Sequence, residues 1–258
     1  MTSINILATT SNNSDNNQNP SPQIEAIYVG YDERHPEMYL VCQRSIKKYA
    51  PDLKVVPINR SLLQNYRVYT RDDINESATE YTYTRFLVPF LNRFQGYVLY
   101  CDSNFMWRCD PRELNQYIDP DTAVSVVKHG YSSLPCKTKY DNQPQVEYGR
   151  KHWASLMLLN CTHRDCRWLM PKPVQDRPFK WLMQFKWIED HTQLGELPLA
   201  YNYLEGGYYK KPTDIEESEI KAINFTDGGP WDLDYRYNFH YTKEWDSYLT
   251  RVELARIF

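Results

Sequence analysis

The stretch with the most chemistry in it is short: Tyr97-Val-Leu-Tyr-Cys-Asp102-Ser103-Asn104-Phe105. An apolar run ends in a carboxylate, and past Ser103 comes a second side chain with an oxygen to offer. In a parallel α/β sheet, ligands bind beyond the carboxyl ends of the strands. A diphosphate leaving group held there calls for a divalent cation, and hard cations take oxygen ligands. Asp102 brings charge to such an ion; Asn104 could ligate through its amide oxygen but brings none. A second feature is Gly228-Gly229-Pro230-Trp231. Gly-Gly before Pro is a turn after a strand whatever the function, and glycine also lets backbone N–H groups come close to phosphate oxygens. Lys128 and His129 end an apolar run and could meet a donor or an acceptor.

These residues need elements to position them. Ile24 to Val29 reads as a buried strand, and Gly30-Tyr31-Asp32 as the turn that follows it. Pro36 opens a helix through Tyr49, with Met38, Cys42 and Ile46 at helical spacing, and Pro51 stops it. Leu53 to Ile58 is the next strand, so this segment is a βαβ unit and implies a parallel sheet. Thr79 to Arg93 carries Tyr83, Phe86, Leu87 and Phe90 on one face and is expected to be a helix kinked at Pro89. Gly96 to Cys101 is the strand that feeds Asp102. A short helix follows Asp110-Pro111, and Thr122–Lys128, Ser155–Asn160 and Lys221–Phe225 read as strands. Gly130 to Arg150 is polar and aperiodic, a long loop of the kind that carries function. Residues 1–22, rich in Asn, Ser and Thr, read as a disordered tail, leaving 23–258 as a single folded domain.

Composition excludes several classes. A net charge of −3 gives no electrostatic footing for nucleic acid. No apolar run approaches membrane-spanning length, and the N-terminal segment has neither the basic nor the apolar region of a signal peptide. Its Asn-x-Ser/Thr sequons, such as that at Asn59, are therefore read as chance matches. The six cysteines form no Cys-x-x-Cys pair, which argues against zinc or thioredoxin chemistry and for a reducing, cytoplasmic setting. The chain holds 22 Tyr, 7 Trp and 9 Phe, whose faces suit sugars and bases but equally fill a core.

Taken together, Tyr28-Val-Gly-Tyr-Asp32, Tyr83-Thr-Arg85-Phe86, Tyr100-Cys-Asp102-Ser-Asn104, Leu197-Pro198 with Tyr201-Asn202, and Asn224-Phe-Thr-Asp-Gly228-Gly-Pro-Trp231 resemble the GT-A glycosyltransferases related to glycogenin and the family 8 enzymes. The resemblance implies a GT-A, Rossmann-like domain with a mixed, mostly parallel sheet. It implies transfer of a sugar from a nucleotide-sugar, usually a UDP-sugar, to a hydroxyl acceptor with retention of configuration, and it makes a homodimer possible. It places Tyr31 and Asp32 at the nucleotide base, Arg85 near the donor, and Asp102 on Mn²⁺ or Mg²⁺. Trp153 and Ser155 fall where the donor sugar is lined, and Trp231 in the closing signature. Glu189 and Asp190 fall near the reacting carbon, where a carboxylate could orient an acceptor or steady positive charge. Asn104 stands in place of a second acidic ligand and Asn224 in place of a metal-binding His. Three readings stay open: weak metal binding helped by the diphosphate, replacement of metal by Arg34, Arg85 and Lys128, or a catalytically silent chain that still binds nucleotides or sugars. A nucleotidyltransferase would also use strand-end carboxylates, but no Gly-rich loop with Lys is present.

Overall fold

The computed structural model describes residues 21–72, 79–130, 149–206, 215–226, 228–234 and 236–258. Most of the tail expected at 1–22 and most of the long loop expected at 130–150 lie outside these residues.

Among the described residues, nine strands form two sheets. They are β1 (Ile24–Tyr31), β2 (Lys54–Asn59), β3 (Tyr97–Cys101), β4 (Phe105–Trp107), β5 (Val124–Val126), β6 (Leu156–Asn160), β7 (Leu194–Glu196), β8 (Tyr203–Glu205) and β9 (Ala222–Phe225). The main sheet runs β2-β1-β3-β6-β5-β7; the smaller runs β4-β9-β8. β6 alone is antiparallel to its neighbours in the main sheet, so β1, β2, β3, β5 and β7 all point one way. This is the mixed, mostly parallel α/β sheet expected.

The helices are α1 (Pro36–Tyr49), α2 (Arg60–Asn65), α3 (Val88–Leu91), α4 (Pro171–Asp176), α5 (Phe179–Met183), α6 (Thr242–Asp246) and α7 (Arg251–Ile257). α1 has the bounds its proline start, helical spacing and lysine end imply. The helix expected over 79–93 is much shorter. A 3-10 turn, Thr84–Leu87, leads into α3, with Pro89 in the first turn of α3. Pro cannot donate to the preceding turn, so the helix has to begin at it instead of running through it. Arg93 and Phe94, both at positive φ, end it.

The strands read as continuous apolar runs because both faces of the main sheet are covered. Tyr28, Val98, Tyr100, Met157 and Leu159 face one cluster with Phe86, Val174, Leu182 and Trp187. Ile27, Val29, Leu99, Leu156 and Leu158 face the other, with Cys42 and Ile46 of α1 and Phe105 and Trp107 of β4. A third cluster lies where Met38 and Val41 of α1 meet Ile223, Phe225, Trp231 and Trp245. The five described cysteines are buried free thiols.

Period two along β3 has a direct consequence. Tyr100 and Asp102, two residues apart, share a side, and Gly30 on the neighbouring β1 leaves room there. A Cβ on Gly30 would come within 2.5 Å of the Tyr81 ring and 2.7 Å of the Tyr100 hydroxyl oxygen. Both tyrosines are fixed by burial, so Gly30→Ala is expected to cost about 1–3 kcal/mol through overpacking, read as a lowered midpoint in thermal or urea unfolding. An unchanged midpoint would show that the two rings yield freely.

Candidate active site at the carboxyl edge

Asp102 stands at the carboxyl end of β3 and is 8% exposed. Its backbone N–H donates to the Ser155 carbonyl (3.0 Å), tying it to the start of β6. Its carboxylate accepts from the Tyr100 hydroxyl at 2.7 Å and is ion-paired with the Arg85 guanidinium at 2.9 Å. Arg85, on the 3-10 turn before α3, also donates to the carbonyls of Tyr81 (3.2 Å) and Ala154 (3.0 Å). Its guanidinium lies 5.4 and 5.5 Å from the ring centres of Tyr81 and Tyr100. Burial pushes both tyrosine hydroxyls well above their ordinary range, so Tyr100 remains a proton-bearing donor to Asp102.

A neutral network continues from Ser155. Its hydroxyl donates to the His152 carbonyl (2.6 Å) and accepts from the Asn202 and Asn224 amides at 3.0 and 3.1 Å. Asn224 also donates to Asn202 Oδ1 at 2.9 Å. His152 takes a left-handed backbone (φ 64), a costly conformation for a non-glycine residue, and so offers its carbonyl to both Ser155 and Asn202. Across the small sheet, Phe105 pairs with Asn224 in register, and the Asn104 amide donates to the Phe225 carbonyl at 2.7 Å. The topology thus brings Asp102, Arg85, Ser155, Asn104 and Asn224 to one end of β3.

The other expected residues fall in three groups. Asp32, buried just beyond β1, accepts from Arg34 Nε (2.9 Å) and Nη2 (2.7 Å). Burial alone would raise its carboxyl pKa, but the Arg34 hydrogen bonds and charge outweigh that and lower it. Tyr31 packs edge-on against Tyr39. These three stay at the carboxyl edge, on the β1 side. Lys128 is at the same edge, past β5 and two strands from β3, 3.7 Å from Glu196 of β7. Trp153 donates its indole N–H to the His129 carbonyl at 2.9 Å and lies against the core.

Two expectations are corrected. Glu189 and Asp190 precede β7, which runs parallel to β3, so they lie at the opposite edge of the sheet from Asp102. There the Glu189 N–H donates to Asp165 (3.1 Å), and Asp190 caps a turn by accepting from Thr192 N–H (2.9 Å). The topology therefore removes the pair from any reacting carbon beside Asp102. Trp231, 7% exposed, packs with Phe225 and Trp245, and its ring fills the space where a Gly229 Cβ would stand, with a ring carbon 2.2 Å from that position. Gly229 is thus small because Trp231 covers it, and Trp231 is a core residue in place of a donor contact. Gly228 does use its freedom, at φ 111.

Sequence reasoning passed over Tyr81, Tyr100 and the role of Asn202 in the network. Tyr100 was legible, since it stands two residues before Asp102 on the same side of a strand; Asn202 was not, since its partners are 22, 47 and 50 residues away.

Among the described residues no three His, Cys, Asp or Glu side chains gather as a metal-binding group. Asn104 Oδ1 and Asn224 Oδ1 are nevertheless buried without hydrogen-bond partners among those residues. Uncharged amide oxygens suit a hard divalent cation better than a soft one. His129 sits at the same edge, its ring 6.4 Å from that of His152. Burial lowers its imidazole to about 4. Below its ordinary value of 6.5 the unfolded chain therefore binds a proton that the folded chain refuses, and stability falls as pH drops from 6.5 toward about 4. His129→Asn is expected to flatten this slope in urea unfolding compared between about pH 7 and about pH 5; an unaltered slope would place its origin elsewhere.

No family model matches the chain. Protein CDI of Arabidopsis thaliana is 36% identical over 209 residues, covering 80% of this chain and 78% of that protein. Among solved structures, the WbbM bifunctional glycosyltransferase in its apo form superposes with a TM-score of 0.55 at 13% identity, over 90% of this chain and 51% of its own. Apo GlyE of Streptococcus pneumoniae TIGR4 gives 0.54 at 15%, over 91% and 63%. The galactosyltransferase LgtC, solved with donor and acceptor sugar analogs, gives 0.51 at 12%, over 90% and 100%. The chain thus spans about half of WbbM and under two thirds of GlyE. These likenesses establish a GT-A glycosyltransferase fold. No helix among the described residues is long and apolar enough to cross a membrane.

Proposed function

The chain belongs to the family of Protein CDI of Arabidopsis thaliana; from its GT-A fold and the residues gathered at the end of β3 we propose that it binds a nucleotide-sugar at the carboxyl edge of its main sheet and transfers the sugar to a hydroxyl acceptor. The observation that carries this reading is Asp102, buried at the end of β3 and held there by Arg85 and Tyr100. The sequence resemblance to glycogenin and the family 8 enzymes supports a UDP-sugar as donor, a hexosyl group as cargo and retention as the outcome. The β1 end, with Tyr31, Asp32 and Arg34, would receive the nucleotide. The reducing setting suggested by the buried thiols accords with a cytoplasmic enzyme, and a homodimer remains part of the proposal.

Each group has a physical task in this reading. As the bond to the diphosphate breaks, its leaving oxygen gains negative charge, and groups already fixed in place stabilise that charge best. Arg85 is fixed by the Tyr81 and Ala154 carbonyls and by Asp102. A bound Mn²⁺ or Mg²⁺ would act as a Lewis acid on the diphosphate oxygens; Asp102, Asn104 and Asn224 would hold it. Retention requires the acceptor to approach on the face that the diphosphate leaves, so the acceptor must also be positioned at this edge.

One observation favours a second reading, a binding protein without turnover: the Asp102 charge is already matched by Arg85. Calorimetric titration with UDP and UDP-sugars, followed by a donor-hydrolysis assay on the tightest binder, separates the two. Saturable binding with hydrolysis is the expected outcome. Binding without hydrolysis or transfer would establish the silent reading, and no nucleotide binding would end the proposal.

A further inference from the structure

Independently of the nucleotide-sugar reading, we infer that the protein docks on an anionic lipid surface through the corner formed by residues 164–180. Five Lys and Arg stand there against two Asp, in a chain whose net charge is −3. Arg164, Arg167, Lys172, Arg177 and Lys180 are all exposed. Among them stand Trp168 and Met170, which are 45% and 42% exposed. Local structure holds these two outward. The 3-10 turn Arg164–Trp168 ends at Leu169, which is fully buried in the same cluster as Val174 of α4. Met170 is extended, and Pro171 starts α4 directly after it. With Leu169 turned inward, its neighbours on either side turn out. A Trp ring suits the boundary between headgroups and acyl chains, where its body leaves water and its N–H stays wet.

The charges fit the same surface. Asp165 is 1% exposed, lies 3.4 Å from Arg164 and accepts from the Glu189 N–H at 3.1 Å. Glu189 borders the corner, 3.7 Å from Arg164. Asp176 pairs with Lys172, but these side chains are 58% and 87% exposed, so the pair is screened and contributes little. Positive charge therefore surrounds an apolar tip. Arg167 lies 4.4 Å from the centre of the Phe94 ring, which brings the corner beside exposed Arg93. A lipid surface answers both features: anionic headgroups meet the cations, and the acyl boundary receives Trp168 and Met170. The protein would lie on such a surface without spanning it. β6 ends at Asn160, opposite Tyr97 at the start of β3, so the corner follows the edge of the main sheet opposite Asp102. Docking there leaves the carboxyl edge directed away from the lipid.

The test sediments the intact protein with vesicles of phosphatidylcholine containing about one part in three phosphatidylserine, and with vesicles of phosphatidylcholine alone. Binding to the first is expected at about 0.1 M NaCl and is expected to fall steeply toward about 1 M, where the screening length is about 3 Å. No binding to the second is expected. Arg167→Gln and Lys172→Gln are each expected to weaken binding about fivefold, the effect of one cation near such a surface. Trp168→Ala is expected to weaken it while leaving its salt dependence as in the wild type. Lys243→Gln, on α6, is expected to change nothing. Should a variant fail to fold, the lipid and salt dependence of the wild type decide alone. No binding to phosphatidylserine vesicles would overturn the inference and leave the cations to an acidic protein or to solvent. Equal binding to both vesicle types, or a loss with Lys243→Gln equal to that with Arg167→Gln, would also overturn it. UDP titration of the same variants is expected to match the wild type, so the failure of this inference and the failure of the nucleotide reading are told apart.

Discussion

The ion pair between Arg85 and Asp102 is the interaction on which the site depends. Both side chains are nearly buried, so neither charge could stay there alone; removing one partner of such a pair typically costs about 3–5 kcal/mol. Everything near it serves to hold it. β3 ends at the right residue, Tyr100 reaches forward along the same side of the strand, and Gly30 leaves space for that ring. The 3-10 turn before α3 brings Arg85 under the Tyr81 and Ala154 carbonyls. Because Ser155 binds the Asp102 N–H through its carbonyl and two amides through its hydroxyl, the charged pair and the neutral network share one anchor.

How much of this was legible follows from where the constraints lie. The strands around Val98, Leu158 and Ile223 were readable because both faces of each sheet are buried, and apolar runs of that length have few other fates. α1 was readable because its proline start, spacing and lysine end agree. The 79–93 segment misled because its aromatic spacing suits a helix while Pro89 forbids a long one. Missing altogether were β4, β7 and β8, each of three residues, too short for any period to show.

The site divides in the same way. Asp102 was legible from the apolar strand it ends, and Arg85 through resemblance. The Glu189–Asp190 pair looked suitable only while strand direction was unknown; once β7 runs parallel to β3, the start of β7 and the end of β3 lie on opposite edges. Gly229 shows a related limit, since the sequence does not tell whether a small residue makes way for a ligand or for its neighbour's ring. Here the ring is that of Trp231. The directions of the Asn224 and Asn104 amides follow from hydrogen bonds between distant segments and were beyond any local pattern.

The most direct test of the central claim is a crystal structure of the protein with UDP and MnCl₂, in which the anomalous signal of manganese and the density of the diphosphate locate the ligand. The account expects the diphosphate at the carboxyl edge between β1 and β3, with manganese touching Asp102, Asn104 and Asn224 and the Arg85–Asp102 pair intact. A nucleotide bound at the opposite edge, or one that enters only when Arg85 has left Asp102, would contradict it.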